Sequence, residues 1–318
     1  MRIVVLDGYT LNPGDNSWAD VARLGDLTVY DRTPPNEIIP RAAGAQVILT
    51  NKTPLSAQTL AQLLELRFIS VLATGYNVVD VDAARRRGVL VSNVPVYGTD
   101  SVAQFVFALV LELCHHVAHH SELVHRGDWA RSKDFCFWTV PLTELAGRQM
   151  GIVGFGRIGR RVGELAHAFG MSVCAYDPYP GAMPSYEPFA WKGIEEVFAA
   201  ADVVSLHSPQ TAESRGMVDA RLLGLMKPEA MLINTARGGL VNETDLAAAL
   251  NEGRIAGAGI DVVSEEPIRP DNPLVSAKNC LITPHIAWAT LAARRRLMRT
   301  TADNIAAFLA GSPINLVT

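Results

Sequence analysis

The stretch GIVGFGRIGRRVGELAHAFGMSVCAYD, Gly151 to Asp177, decides the fold. It reads in order as a strand, a glycine turn, an amphipathic helix, a second strand and a closing acid. Gly154, Gly156 and Gly159 match G-x-G-x-x-G, and Asp177 comes 18 residues after the last of them. Each glycine has its own task. Gly154 permits the tight turn out of the strand, Gly156 admits a pyrophosphate close to the backbone, and Gly159 lets helix and strand pack closely. The helix N-terminus then offers free N–H groups and a partial positive charge to the phosphates. An acid ending the second strand binds both ribose hydroxyls and repels a 2′-phosphate, which favours NAD over NADP. A glycine-rich turn without a ligand would show the same bare motif; strand, helix and acid in register argue for a dinucleotide site.

Outward from this unit, short Val- and Ile-rich runs alternate with helical patterns, the mark of a parallel α/β architecture. On the C-terminal side strands are expected at Met150–Val153, Ser172–Tyr176, Val203–Leu206, Met231–Asn234, Ala258–Asp261 and Leu281–Thr283. On the N-terminal side they are expected at Ile3–Leu6, Leu27–Tyr30, Val47–Thr50, Phe68–Val71 and Val89–Val91. A long apolar helix should begin near Asp100 or Ser101, with Ser101 and Gln104 as a capping box, and run to about His120. Residues 122–144 read as irregular. The last helix, about Leu291 to Ala310, has no partner within the nucleotide unit and is expected to cross back to the first domain. The fold class is thus α/β, with two doubly wound parallel-sheet domains and a cleft between them. Residues 1–98 plus 288–318 would form the discontinuous, flavodoxin-like substrate domain. Residues 99–287 would form the Rossmann domain.

Bulk properties narrow the function. At 318 residues the chain can bury a substantial core, and its net charge of −4 is interspersed, with no basic footprint for nucleic acid or an anionic membrane. Cys114, Cys136, Cys174 and Cys280 are scattered without C-x-x-C spacing, which suits reduced thiols and a cytoplasmic location. The apolar runs near the N-terminus and at Phe105–Leu111 are too short for a signal peptide or a bilayer span.

Ligands of an open α/β sheet bind at the carboxyl ends of its strands, so polar groups there carry the chemistry. Arg237 follows the run MLINTA and precedes Gly238-Gly239; its fixed fork suits a carboxylate, although a loop arginine is otherwise often only solvated. His285, in TPHIAW, is the natural proton donor to a carbonyl, against the alternative of a hydrogen-bonded core histidine. Glu266 or its neighbour Glu265 would hold the far imidazole nitrogen. Asp261, at a strand end facing the cleft, would accept a bond from a nicotinamide carboxamide. His115, His116, His119 and His120 fall at i,i+4 spacing fit for a metal, yet they continue an apolar helix with no matching acid or cysteine. They are read as a polar helix end or subunit contact, and no metal is expected. His125, His167 and His207 receive no catalytic role.

With these residues in place, the chain resembles the D-isomer-specific 2-hydroxyacid dehydrogenases. The shared wording includes ATGYNVVDVDAARRRGVLVSNVPVYGTDSVAQ (Ala73–Gln104), GFGRIG, LHSPQTAES (Leu206–Ser214), NTARGGLVNETDL (Asn234–Leu246), GIDVVSEEP (Gly259–Pro267) and TPHIAW. The resemblance implies an NAD(H)-dependent interconversion of a small 2-oxo acid and its D-2-hydroxy acid. Arg237 would bind and polarise the substrate, Glu266 rather than Glu265 would support the histidine, and His285 would be the acid/base. Backbone amides near Thr74, Gly75 and Tyr76 would hold the substrate carboxylate. Arg157, Ile158, His207, Pro209, Thr235, Ala236 and Asp261 would line the cofactor, and Val102 would pack on its nicotinamide.

Within the family the wording TNKTPL, DFCFW and HIAWAT is most similar to the glycerate dehydrogenase (hydroxypyruvate reductase) branch. That implies hydroxypyruvate and glyoxylate as substrates and a homodimer whose helix and arm at about 100–145 embrace the partner. Trp138 would reach the neighbouring pocket, Trp288 would line the pocket beside His285, and Lys52 would meet the substrate's distal oxygen; packing and surface roles are the alternatives for all three. Hinges are expected near 97–99 and 287–290. Because the chain ends soon after its last helix, the resemblance implies an enzyme expected to lack the regulatory extension of longer phosphoglycerate dehydrogenases. Turnover of D-lactate or D-3-phosphoglycerate, or an NADH-sensing corepressor-like scaffold, are the competing readings.

Overall fold

The computed structural model describes all of residues 1–318. The chain forms two compact units, Met1–Gly98 with Trp288–Thr318, and Thr99–Ala287. Each is built on one sheet in which every strand pairing is parallel.

In the first unit the strands are β1 (Arg2–Val5), β2 (Asp26–Val29), β3 (Val47–Thr50), β4 (Phe68–Val71) and β5 (Leu90–Ser92), in the order β2-β1-β3-β4-β5. All residues of β3 and β4 are buried, because helices cover both faces of a parallel sheet. The last helix, Leu291–Leu309, lies on this sheet: Phe308 stacks on Phe68 with ring centroids 4.6 Å apart. Its Arg294 is only 7% exposed, and a charge so placed needs partners. It finds Asp15 in a two-pronged pair at 2.5 and 2.7 Å and the carbonyls of Leu11 and Ala289. The strand order reverses between β1 and β3, the place where an open α/β sheet usually takes its ligand. There the Asp7 carboxylate accepts the backbone N–H groups of Asn51, Lys52 and Thr53 at 2.8, 2.6 and 2.7 Å.

In the second unit the strands are β6 (Gln149–Val153), β7 (Ser172–Tyr176), β8 (Phe189–Trp191), β9 (Val203–Leu206), β10 (Met231–Asn234), β11 (Gly257–Ile260) and β12 (Cys280–Ile282). Their order is β12-β11-β10-β9-β6-β7-β8, so the chain reverses direction across the sheet between β6 and β9. The helix Thr99–His115 packs on β11, where a Cβ at Gly259 would stand 2.9 Å from the Leu109 side chain. Glycine in that strand is the residue that allows the helix so close.

Three local expectations are corrected. The long helix does not reach His120. It breaks at His116, whose φ is +47°, and resumes as Val117–His125 after a bend of 55°. The i,i+4 spacing of the four histidines therefore spans a break; His119 bonds Thr139 Oγ1 and His120 bonds the His116 carbonyl. Ser101 is not a cap. It lies inside a helix that begins at Thr99, and its hydroxyl donates to the Ala287 carbonyl at 2.8 Å. Strand β8, absent from the expected set, has only three residues and directly follows Pro188, too little for a periodicity argument. No single helix is long and apolar enough to cross a membrane.

Candidate active site

The glycine turn leaves β6 at the point where the strand order reverses. Gly154 adopts φ +92°, and a Cβ there would stand 2.6 Å from the Ser208 amide nitrogen, so the turn is pressed against the end of β9. A Cβ at Gly159 would overlap the Gly154 carbonyl, which fixes how closely the helix Arg157–Ala168 meets β6. Gly156 differs: a Cβ there would meet no protein atom within 4 Å. Packing does not explain its bareness; the space beside it is open to a phosphate. Asp177, after β7, binds back to the turn, accepting the N–H of Phe155 at 2.9 Å and that of Tyr179 at 3.0 Å. Arg157 is exposed at the start of the helix, while Ile158 packs toward the core. These residues fit a dinucleotide: an open glycine, a helix N-terminus and an acid at the second strand end.

Beyond β9, burial pushes the His207 imidazole down to about 3, so it stays neutral; its Nε2 shares a 2.8 Å hydrogen bond with Ser205 Oγ. Pro209 follows, exposed. Beyond β10, Asn234 shapes the next turn. Its Oδ1 accepts the Ala236 N–H and its Nδ2 donates to the Arg237 carbonyl. Thr235 Oγ1 is buried without a hydrogen-bond partner, and the exposed Arg237 guanidinium donates to the Ala236 carbonyl at 2.6 Å. A Cβ on Gly238 would overlap the Val263 carbonyl, so the loops after β10 and β11 touch, backbone to backbone, at that glycine.

The loops after β11 and β12 bring two distant residues together. His285 Nδ1 donates to Glu266 Oε2 at 2.7 Å, both side chains being partly exposed. Glu265 turns instead toward Arg269 at 3.8 Å. A carboxylate only accepts, so this bond fixes a proton on Nδ1 and leaves any chemistry of the ring to Nε2. His285 sits at φ +55°, a left-handed backbone that costs a non-glycine residue about 1 kcal/mol or more. Asp261 holds it there. The His285 N–H donates to the Asp261 carbonyl, and the Asp261 carboxylate accepts Thr283 Oγ1 and the amides of Ile286 and Ala287 at 2.7–2.9 Å. This corrects the expectation of a cleft-facing acid: Asp261 is 1% exposed and its carboxylate is turned into its own loop.

Burial pushes the Asp261 carboxyl up, offset in part by the Thr283 hydroxyl and the two amides. A raised acid contributes most to stability below its unfolded value of about 3.9, and that contribution is lost as pH rises through the folded value. Asp261→Asn should therefore flatten the fall in urea midpoint as pH rises above about 4. Through unpaired amides it should cost about 1–3 kcal/mol. A slope identical to the parent chain's would remove Asp261 as its source.

Sequence reasoning missed Glu243. Its carboxylate accepts Ser264 N–H, Ser264 Oγ–H and Asn272 Nδ2–H at 2.6, 2.8 and 2.9 Å, pinning the loop that carries Glu266. In the first unit, Lys52 is exposed at the β3 end, Thr74 and Tyr76 are exposed after β4 with Gly75 between them, and Trp288 meets Tyr97 edge to face at 6.2 Å. In the second, Val102 is 8% exposed on its helix, and Trp138 is 64% exposed.

A glycine turn fitted to a dinucleotide, with a carboxylate-held histidine on the same sheet, defines a nucleotide-dependent α/β oxidoreductase. Residues 107–287 match the family model described as D-isomer specific 2-hydroxyacid dehydrogenase, NAD binding domain. The chain is 49% identical over its whole length to a hydroxypyruvate reductase of Blautia hydrogenotrophica, covering 99% of that protein. It is 41% identical over 91% of its length to a glycerate dehydrogenase of Methylorubrum extorquens, covering 90% of that protein. A crystal structure of a protein from Thermus thermophilus superposes with a TM-score of 0.88 at 32% identity, each chain fully covered. The chain belongs to the D-isomer specific 2-hydroxyacid dehydrogenase family.

Proposed function

We propose that the chain reduces hydroxypyruvate, and glyoxylate beside it, to D-glycerate and glycolate with NADH. The observation that carries the reading is the Glu266–His285 pair at 2.7 Å, and the names of the two relatives support the substrate. The nicotinamide, when bound, supplies the hydride that adds to C2 of the 2-oxo acid. His285 delivers a proton from Nε2 to the carbonyl oxygen, and Glu266 stabilises the imidazolium that must exist beforehand. Arg237 polarises the carbonyl and binds the carboxylate, which the amides near Thr74, Gly75 and Tyr76 also hold. Lys52 and Trp288 meet the substrate's distal end, and Trp138 reaches across to the pocket of the second copy. Val102, Arg157, Ile158, His207, Pro209, Thr235, Ala236 and the remaining capacity of Asp261 receive the cofactor.

Val117, Trp129, Phe135, Trp138 and Leu142 stand exposed on the segment 117–142, more apolar surface than a free monomer usually shows there. We assign that surface to a second copy in a homodimer, and the protein to the cytoplasm. Sedimentation should find two chains; a monomer would remove the assignment.

A panel of 2-oxo acids with NADH tests the reading. Hydroxypyruvate should exceed pyruvate and 3-phosphohydroxypyruvate in kcat/KM by about tenfold or more. A preference for pyruvate would make the chain a D-lactate enzyme, and no turnover at all would favour an NADH-sensing scaffold. Asp177→Ala should narrow the discrimination between NADH and NADPH by about tenfold, since it removes the charge opposed to a 2′-phosphate. An unchanged ratio would show that another group reads the ribose.

A further inference from the structure

The amides assigned above to the substrate carboxylate follow β4, and their aim is set from outside that loop. Asn93, just past β5, is 8% exposed and donates from Nδ2 to the Thr74 carbonyl at 2.7 Å. Around it, Thr74 Oγ1 donates to the Val94 carbonyl at 2.9 Å, and Val94 N–H donates to the Ala73 carbonyl at 3.1 Å. A trans peptide is planar, with its C=O and N–H pointing opposite ways. Holding the Thr74 carbonyl toward Asn93 therefore turns the Gly75 N–H the other way.

Asn93 is itself held at both backbone groups. Its N–H donates to the Asn315 carbonyl at 3.1 Å, and its carbonyl accepts Asn304 Nδ2–H at 2.9 Å. Asn304, wholly buried on the last helix, accepts Asn315 Nδ2–H at 2.8 Å on its Oδ1, which closes a ring of three amides. The tail is seated beside it: Val317 N–H donates to the Val91 carbonyl, and Leu316 bridges Ser92. A buried asparagine is costly unless its donors and acceptors are matched. Here the matching ends on the carbonyl that orients Gly75.

We propose that Asn93 is a positioning residue that aims the Gly75 N–H at the substrate carboxylate, kept in register by Asn304 and Asn315. The inference rests on the reading that gives this loop the carboxylate. Asn93→Asp keeps the shape but turns an acceptor toward the Thr74 carbonyl. It should raise KM for hydroxypyruvate about tenfold or more, with kcat changed less than about threefold. The Kd of NADH should not move. Asn315→Gly suits the φ of +53° at that position and removes only the side-chain donor; it should raise KM about two- to fivefold. It decides the matter should the Asn93 variant not fold. An unchanged KM in the folded variants, or a fall in kcat together with lost NADH binding, would overturn the inference while leaving the proposed reaction intact. A parent chain that reduces no 2-oxo acid would overturn both.

Discussion

Replacing His285 with alanine should lower kcat on hydroxypyruvate by about 10²–10⁴-fold, while the Kd of NADH stays within about twofold because the glycine turn is untouched. The size follows from what is removed. Nδ1 is committed to Glu266, so the ring offers its proton from Nε2 alone. Alanine also brings a complication, since it must occupy φ +55°, where a Cβ is strained. His285→Asn separates the two effects. Asparagine tolerates the left-handed region yet has no proton to give at neutral pH, so it should be as inactive as alanine and better folded. Recovery of activity in the asparagine variant would show that the loss in alanine is backbone strain. Glu266→Gln keeps the hydrogen-bonding reach but removes the charge that favours the imidazolium, so a smaller loss, about 10–10²-fold, is expected. Stopped-flow single turnovers read the chemical step directly, apart from product release.

What could be read from the chain alone divides along a physical line. Every strand of both sheets except β8 lies within a residue or two of its expected position, because runs such as Val47–Thr50 and Phe68–Val71 are buried on both faces and leave a continuous apolar signal. The glycine turn was legible because its parts are local: strand, turn, helix and acid follow in 27 residues. Features that depend on neighbours distant in sequence were not legible. The break at His116 carries no glycine or proline, only a histidine in the left-handed region. Asp261 at a strand end reads the same whether its carboxylate faces outward or, as found, caps its own loop. Glu243 lies 21 positions from Ser264, and Asn93 lies 211 from Asn304, so their bonds exist only once the sheet order is known. Even the Glu266–His285 pair came from resemblance in the choice between two adjacent acids, and the hydrogen bond at 2.7 Å distinguishes them by geometry.

The three glycines of the turn should respond to alanine in two opposite ways. Gly154 combines φ +92° with a close approach to Ser208, and Gly159 leaves no room against the Gly154 carbonyl. In both the obstacle is backbone, which cannot rotate aside. Alanine at either position should cost about 3 kcal/mol or more of stability and abolish NADH binding with it. Gly156 has φ −75°, open to any residue, and nothing within 4 Å of a Cβ. Alanine there should leave the urea midpoint nearly unchanged, yet weaken NADH by about 10²-fold, because only the ligand's pyrophosphate occupies that space. Urea unfolding and fluorescence titration on the same samples separate the two classes. The informative result is the dissociation between them: a ligand-facing glycine loses affinity without losing stability, whereas a packing glycine loses both together. If Gly156→Ala bound NADH as tightly as the parent chain, the pyrophosphate would have to lie elsewhere than over this turn, and the assignment of Asp177 to the ribose would fall with it.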